Sequence, residues 1–561
     1  MILKMKANYI AISKYFILGI TGCLGISVSV AQQTGAVKDQ EFVIRKDRVL
    51  TLPVQPRKFE RLPVLPTPKS SSNYNYEVKP YFLNLEPVAI KSEPAQKAFP
   101  KPAEELYRGF ARFGVGNYNS PLLEARYNVW EEGDYQISGK IKHHGFYTGP
   151  TGDANSAESF TDVKLDGRLM KDVYQFFGGV HYDRHMVNFY GFDWNDLNLV
   201  DYIPQKNVLN TFQVTGGIED IDKMEGLNYE GRVLVRAFHD SFEAAETEFA
   251  ILVKSDYWFD ENLRFDFDIN LSLTGPKDVF YADINRNFFR IHPSVGYLTD
   301  VLKIDVGANI IFENDVTNNK TSDFHFFPAV YGHYMFAREI GVFGLFEGDV
   351  LRTTYQDFAR ENPFLGPSDQ LLNTIQNYKA GAGIKGNLLD ELVYEVGFNV
   401  GKFRNLYFFA NSANDSTRFN LLYDELTNVV NYKASASWKY DKWYQVTAKV
   451  DYYHYSLGTL TAAYHRPEWE VGLNNQITPT DKWLVQCNAN LMGGIQGFNQ
   501  QSDISTRLPA IVDLQVKADY KITDRISAFA IGNNLLNRSN QRFLNYPVRG
   551  IQGILGATFQ F

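Results

Sequence analysis

From Tyr107 onward, apolar and polar residues alternate along the chain. In Leu263-Arg264-Phe265-Asp266-Phe267-Asp268-Ile269-Asn270-Leu271 every second residue is apolar. Tyr444–Tyr452 repeats the pattern, and Trp483–Leu491 does so apart from Leu484. A period of two describes a strand with one apolar and one polar face. Strands of soluble sandwiches usually run to about five or six residues. These reach nine or more, the length a tilted strand needs to cross a bilayer. The pattern predicts an all-β fold, a transmembrane antiparallel up-and-down β-barrel of about 22 strands between 107 and 561. The count falls to 20 if one hairpin near 404–428 is discounted.

The connections add a direction. Short turns recur with an acidic residue just before an apolar strand start, as in Lys171-Asp172-Val173, Thr299-Asp300-Val301, Tyr440-Asp441-Lys442-Trp443 and Thr480-Asp481-Lys482-Trp483. They alternate with longer segments rich in Asn, Gly, Ser and aromatics, at 145–158, 185–208, 352–374, 404–428, 493–507 and 537–550. Tight turns on one rim and long loops on the other are the asymmetry of an outer-membrane barrel. A propeller would repeat a four-strand blade motif, and none is visible.

Parity along the strands then assigns faces. Arg264, Asp266, Asp268, Lys449 and Asp451 are expected to line the lumen, and Phe265, Phe267, Val446 and Val450 to meet lipid. Trp130, Trp258, Trp438, Trp443 and Trp483 stand near strand ends, where an interfacial aromatic girdle is expected. The chain finishes on a strand from Ile551 to Phe561, with Leu555, Ala557, Phe559 and Phe561 on one face. Phe559 and Phe561 are the expected assembly signal, since outer-membrane barrels commonly end on such a strand.

Composition narrows the class. Aromatics are 15% and charged residues 21% of 561, which excludes a disordered chain. Two cysteines exclude a disulfide scaffold. A net charge of −8 offers no basic excess for nucleic acid. Lys4, Lys6 and Lys14 precede an apolar run ending at Ser29-Val30-Ala31, a signal peptide over 1–31. A lipoprotein box at Ile20–Cys23 competes, but the apolar run continues past it. Ten of the 22 prolines fall in 32–105, which reads as an extended periplasmic arm. The arm carries +3 and the barrel region, 106–561, carries −14. Opposite charge suggests that the arm occludes the lumen or binds a partner at the periplasmic rim.

Ser527-Ala528-Phe529-Ala530-Ile531-Gly532-Asn533-Asn534-Leu535-Leu536-Asn537-Arg538 resembles the penultimate strand of TonB-dependent receptor barrels, with Leu536 where Phe is usual. Leu106–Tyr118, Tyr182–His185 and Tyr190-Gly191-Phe192 resemble a plug-less group of receptor-like barrels described mainly in Bacteroidota. The resemblance implies an outer-membrane location, insertion by the barrel-assembly machinery and surrounding outer-membrane lipid. The family's plug and TonB-contacting box are not visible in the 74 residues of the arm. Two functions follow: a channel or solute-uptake barrel of transport class, or a non-transporting barrel that anchors a protein complex through residues 32–105.

Other chemistry is weakly supported. In His143-His144 adjacent side chains point to opposite faces. His181 and His185 lie about 13 Å apart on one strand, too far to share an ion. Asp183, His185 and His239 could be drawn as a hydrolytic set, but no flanking motif marks a nucleophile. No enzyme, cofactor or metal site is expected. The loop aromatics Phe189, Tyr190, Phe192, Trp194, Tyr407, Phe408 and Phe409 are expected to be free for ligand or protein contacts.

Overall fold

The structure is a computed structural model, and it describes residues 107–151, 153–192, 204–221, 226–280, 284–315, 323–368, 370–388 and 391–561. The signal peptide, the arm 32–105 and Trp194 lie outside the described residues. Twenty-two antiparallel strands form one closed sheet, from Gly109–Gly116 to Gln552–Gln560. Closure is direct: Phe110 pairs with Gln560, Ala111 with Phe559 and Gly116 with Ile554. Strand bounds agree with the sequence reading to within a few residues, as in Leu263–Lys277 and Tyr444–Ser456.

Turn chemistry explains the acidic signal at the short connections. Asp172 and Asp441 take positive φ, 35° and 53°, a region that Asp tolerates because its short side chain bonds locally. Asp260 accepts from the backbone N–H groups of Asn262 and Leu263, both at 2.8 Å. Thr299 and Thr523 do the same for Leu302 and Ile526. All these turns lie on one rim with Phe561, and the long loops lie on the other. A cysteine at Asn414, in the hairpin between Leu406–Asn411 and Phe419–Asp424, should label on intact cells, and one at Asp441 should not. The opposite labelling would invert the orientation.

One face of the wall is an apolar band. Along Asp323–Ala337, Phe324, Phe326, Val330, Tyr334 and Phe336 are 40–64% exposed, and the alternating residues His325, Phe327, Ala329, Tyr331, His333 and Met335 are more covered. Phe324 to Phe336 spans about 40 Å of strand, or roughly 30 Å of height at a barrel tilt, enough for a hydrocarbon core. The chain is an outer-membrane β-barrel.

The other face is polar, and its charges pair: Arg112–Glu124, Lys140–Asp162, Lys379–Glu347 and Lys433–Glu395 join neighbouring strands, Arg264–Asp266 and Lys517–Asp519 lie along one strand, and Arg290 reaches Asp349 three strands away. Arg264 also reaches Asp305 at 3.7 Å, and Asn431 donates to Asp451 at 3.2 Å. Trp438, Trp443 and Trp483 are exposed near the turn rim as girdle residues would be. Trp130 and Trp258 depart from that expectation. Register puts them on the polar face, each within cation–π range of a guanidinium, Arg108 at 5.9 Å and Arg264 at 5.5 Å. The glycines Gly383 and Gly397 clear room for the Phe343 ring, which a Cβ at Gly383 would approach to 2.6 Å.

Candidate functional site: a loop cap over the mouth

The loops build a second structure on their rim. Residues 352–373 carry the helix α1, Tyr355–Glu361, inside a segment expected to be irregular. Thr354 caps it: its hydroxyl accepts from the Asp357 N–H at 3.1 Å, and Asp357 accepts from the Thr354 N–H at 3.0 Å. Leu406–Asn411, Phe419–Asp424, Gln496–Asn499 and Ile504–Arg507 form a separate four-stranded sheet.

Helix α1, the strands Leu406–Asn411 and Phe419–Asp424 and the neighbouring loops share one buried apolar cluster, which includes Phe189, Phe358, Phe364, Phe409, Phe419, Phe543 and Tyr546. Phe364 stacks on Tyr546 at 3.6 Å, Tyr190 meets Tyr546 at 4.9 Å, and Phe409 meets Phe543 at 6.0 Å. Arg418 lies over Phe242 at 4.2 Å and Phe189 at 5.1 Å. Phe189 follows the fifth wall strand, Phe409 the fifteenth and Tyr546 the twenty-first. Strands ten apart in a ring of 22 are nearly opposite, across a diameter of roughly 45 Å. The loops therefore meet over the opening. The expectation that the loop aromatics are free fails here. Phe189, Phe192, Phe408 and Phe409 are buried to 8% exposure or less, because closing the mouth gives them an apolar core of their own.

Polar latches tie the cap to the wall. Glu246 accepts from the first α1 N–H groups, Tyr355 at 2.8 Å and Gln356 at 3.4 Å. Arg352 donates to Glu248 at 2.6 Å, and Glu248 also pairs with Arg236. Arg286 donates to the Thr353 carbonyl at 2.7 Å and to Asn373 at 2.8 Å, and Asn373 donates to Glu313 at 2.9 Å. Asp424, fully buried, clamps two loops by accepting from the N–H groups of Gly458, Thr459 and Leu460 at 2.7–3.0 Å and from the Thr427 hydroxyl at 2.6 Å.

Burial opposes the Asp424 charge, but these donors outweigh it and hold the carboxyl well below the usual carboxylate range. A depressed folded value gives stability that is present above the unfolded value and is lost as pH falls through the folded one. The clamp should therefore survive at pH 5 and loosen only in strong acid. Asp424→Ala strands several N–H groups, at about 1–3 kcal/mol each if they stay dry. It should speed proteolysis within 405–426 and 457–468 without altering barrel migration; unchanged cleavage would show that Asp424 is not the clamp. Burial beside Phe419 and Phe543 pushes the His465 imidazole down to about 3, so it packs as a neutral ring.

Wall histidines sit elsewhere. Register places Asp162 opposite Asp183, with His181 two residues away, and one donor atom from each lies within 4.8 Å of the others. Such a set could hold a cation, but Asp162 already accepts from His181 at 2.6 Å and Lys140 at 3.0 Å. His185 pairs with Glu158 at 3.0 Å on the polar face, whereas His239 stands on the apolar face, so the drawn hydrolytic set does not assemble. Phe559 and Phe561 are both 46% exposed and stack at 5.8 Å.

The sequence matches no family model and no curated protein. The fold has solved counterparts. The FrpB iron transporter of Neisseria meningitidis superposes with a TM-score of 0.64 at 10% identity, over 82% of each chain. The ferric-catecholate import receptor Fiu of E. coli K12, in its closed form, gives 0.60 at 9% identity over 81% of this chain and 82% of that one. The ferripyoverdine receptor of the Pseudomonas aeruginosa outer membrane gives 0.61 at 13% identity, over 82% and 72%. The wall thus has the fold of a TonB-dependent receptor barrel.

Proposed function

We propose that this is a transport-class outer-membrane barrel that works without a plug domain and whose loop cap gates solute entry. The observation that carries the reading is the aromatic cluster joining loops from nearly opposite sides of the wall. The paired polar face supports an aqueous route, with Arg264, Asp266, Asp268, Lys449 and Asp451 lining it. The named import functions of the iron receptors support uptake as its direction. Residues 32–105 are the second occluding element in this proposal. Liposome swelling with sugars of rising size tests it. The full chain should admit only small solutes, and deletion of 40–100 should raise the size limit. Swelling that matches empty liposomes in both proteins would favour the anchoring role instead.

A further inference from the structure

The outward wall carries cations that no side chain among the described residues pairs with. Arg184, Asn210, His239, Ala245 and Lys277 form one continuous row of register partners across five strands. The row shares its face with Val180, Phe212, Val214, Val235 and Leu273, all 39–51% exposed, so it lies on the apolar side. Each of its residues stands within about four positions of the loop end of its strand, and Lys206 lies on the same face nearer that end. The side chains of Arg184, Lys206 and Lys277 have no hydrogen-bond or ion-pair partner among the described residues, and Lys206 and Lys277 are exposed. On the polar face, by contrast, basic groups are commonly paired. An unpaired cation at the edge of a hydrocarbon band is costly unless an anion meets it there.

Below the row, on the same strands, lies a groove of about 510 Å³ lined by Phe176, Val214, Gly216, Val233, Val235 and Ile251. Gly216 faces Gly178 across the sheet, and together they lower its floor. From Asn210 to Val214 is about 13 Å of strand, and from Asn210 to Gly216 about 20 Å, within the reach of an acyl chain. Arg184 to Lys277 spans four strand spacings, about 19 Å.

We propose that this wall is a seat for one phosphate-bearing lipid of the outer leaflet. Arg184, Lys206 and Lys277, with His239 and Asn210 beside them, receive the headgroup phosphates. The glycine-floored groove receives an acyl chain. The seat is independent of whether the barrel transports.

The test uses the full chain in mixed micelles with diphosphoryl lipid A, its dephosphorylated form or phosphatidylcholine, and counts retained lipid by native mass spectrometry. The wild type should prefer the diphosphoryl lipid. Replacing Arg184, Lys206 and Lys277 with Gln should remove that preference, at roughly fivefold per charge. In Gly216→Leu the new Cβ meets nothing within 4 Å. That variant should fill the groove and weaken retention while keeping the phosphate preference. Heat-modifiable migration reports that each variant is folded. Equal retention of the three lipids by the wild type, or wild-type retention by the triple variant, overturns the proposal. Unchanged retention by Gly216→Leu removes the acyl-chain half of it.

Discussion

Val450→Arg should leave little assembled barrel, whereas Thr447→Arg should assemble normally. Val450 is the seventh of thirteen residues in Tyr444–Ser456 and is 43% exposed. It pairs with Ala434 and Val471 in the middle of the apolar band. A basic group against lipid near the midplane costs about 2–4 kcal/mol, and about 0–1 near an interface. Thr447 pairs with Ser437 and Asn474 on the polar face, where an arginine meets neighbouring polar groups. Val446 shares the Val450 face but lies third from the turn, so an arginine there should do much less. The measurement is the folded fraction in outer-membrane extracts, read from heat-modifiable migration. Equal loss for Val450→Arg and Thr447→Arg would refute the faces.

Removal of Phe559–Phe561 should have an effect of similar size by another route. The last strand pairs on both sides, with Ile526–Asn533 and with Gly109–Gly116. The truncation deletes the pairs Ala111–Phe559 and Ile526–Phe559, and the two backbone hydrogen bonds between Gly109 and Phe561 at 2.9 and 3.0 Å. It also removes the exposed terminal rings. An unclosed edge is left open to mispairing. Export should continue while assembled protein falls severalfold and unfolded protein accumulates in the periplasm. Assembly at the wild-type level would show that neither closure nor the signal depends on these residues.

The wall was legible in the sequence because its information is local. A period of two fixes each strand, and turn residues such as Asp172, Asp260 and Asp441 mark the ends through backbone conformation and side-chain acceptors. The cap was not legible, because its core is tertiary. Phe189, Phe364, Phe409 and Tyr546 come from four separate loops, and nothing in their local sequence says that they meet. One local signal was available: Thr354 with an acidic residue three positions on, the start of α1. The cross-strand pairs behave likewise. Asp162 with His181, and the Arg184–Lys277 row, follow only once the register is known.

In the proposed function the loop cap, not the wall, closes the outer mouth. Single-channel conductance in planar bilayers tests it most directly, with the full chain compared against a variant whose latches are cut at Glu246→Ala, Arg352→Ala and Arg286→Ala. These three side chains hold residues 352–373 to the strands Ala245–Trp258 and Arg286–Leu298. A closing cap gives a low, flickering conductance for the full chain and a severalfold larger, steadier one for the variant, with unchanged barrel migration. A large conductance in the full chain, or no increase after the latches are cut, would contradict it.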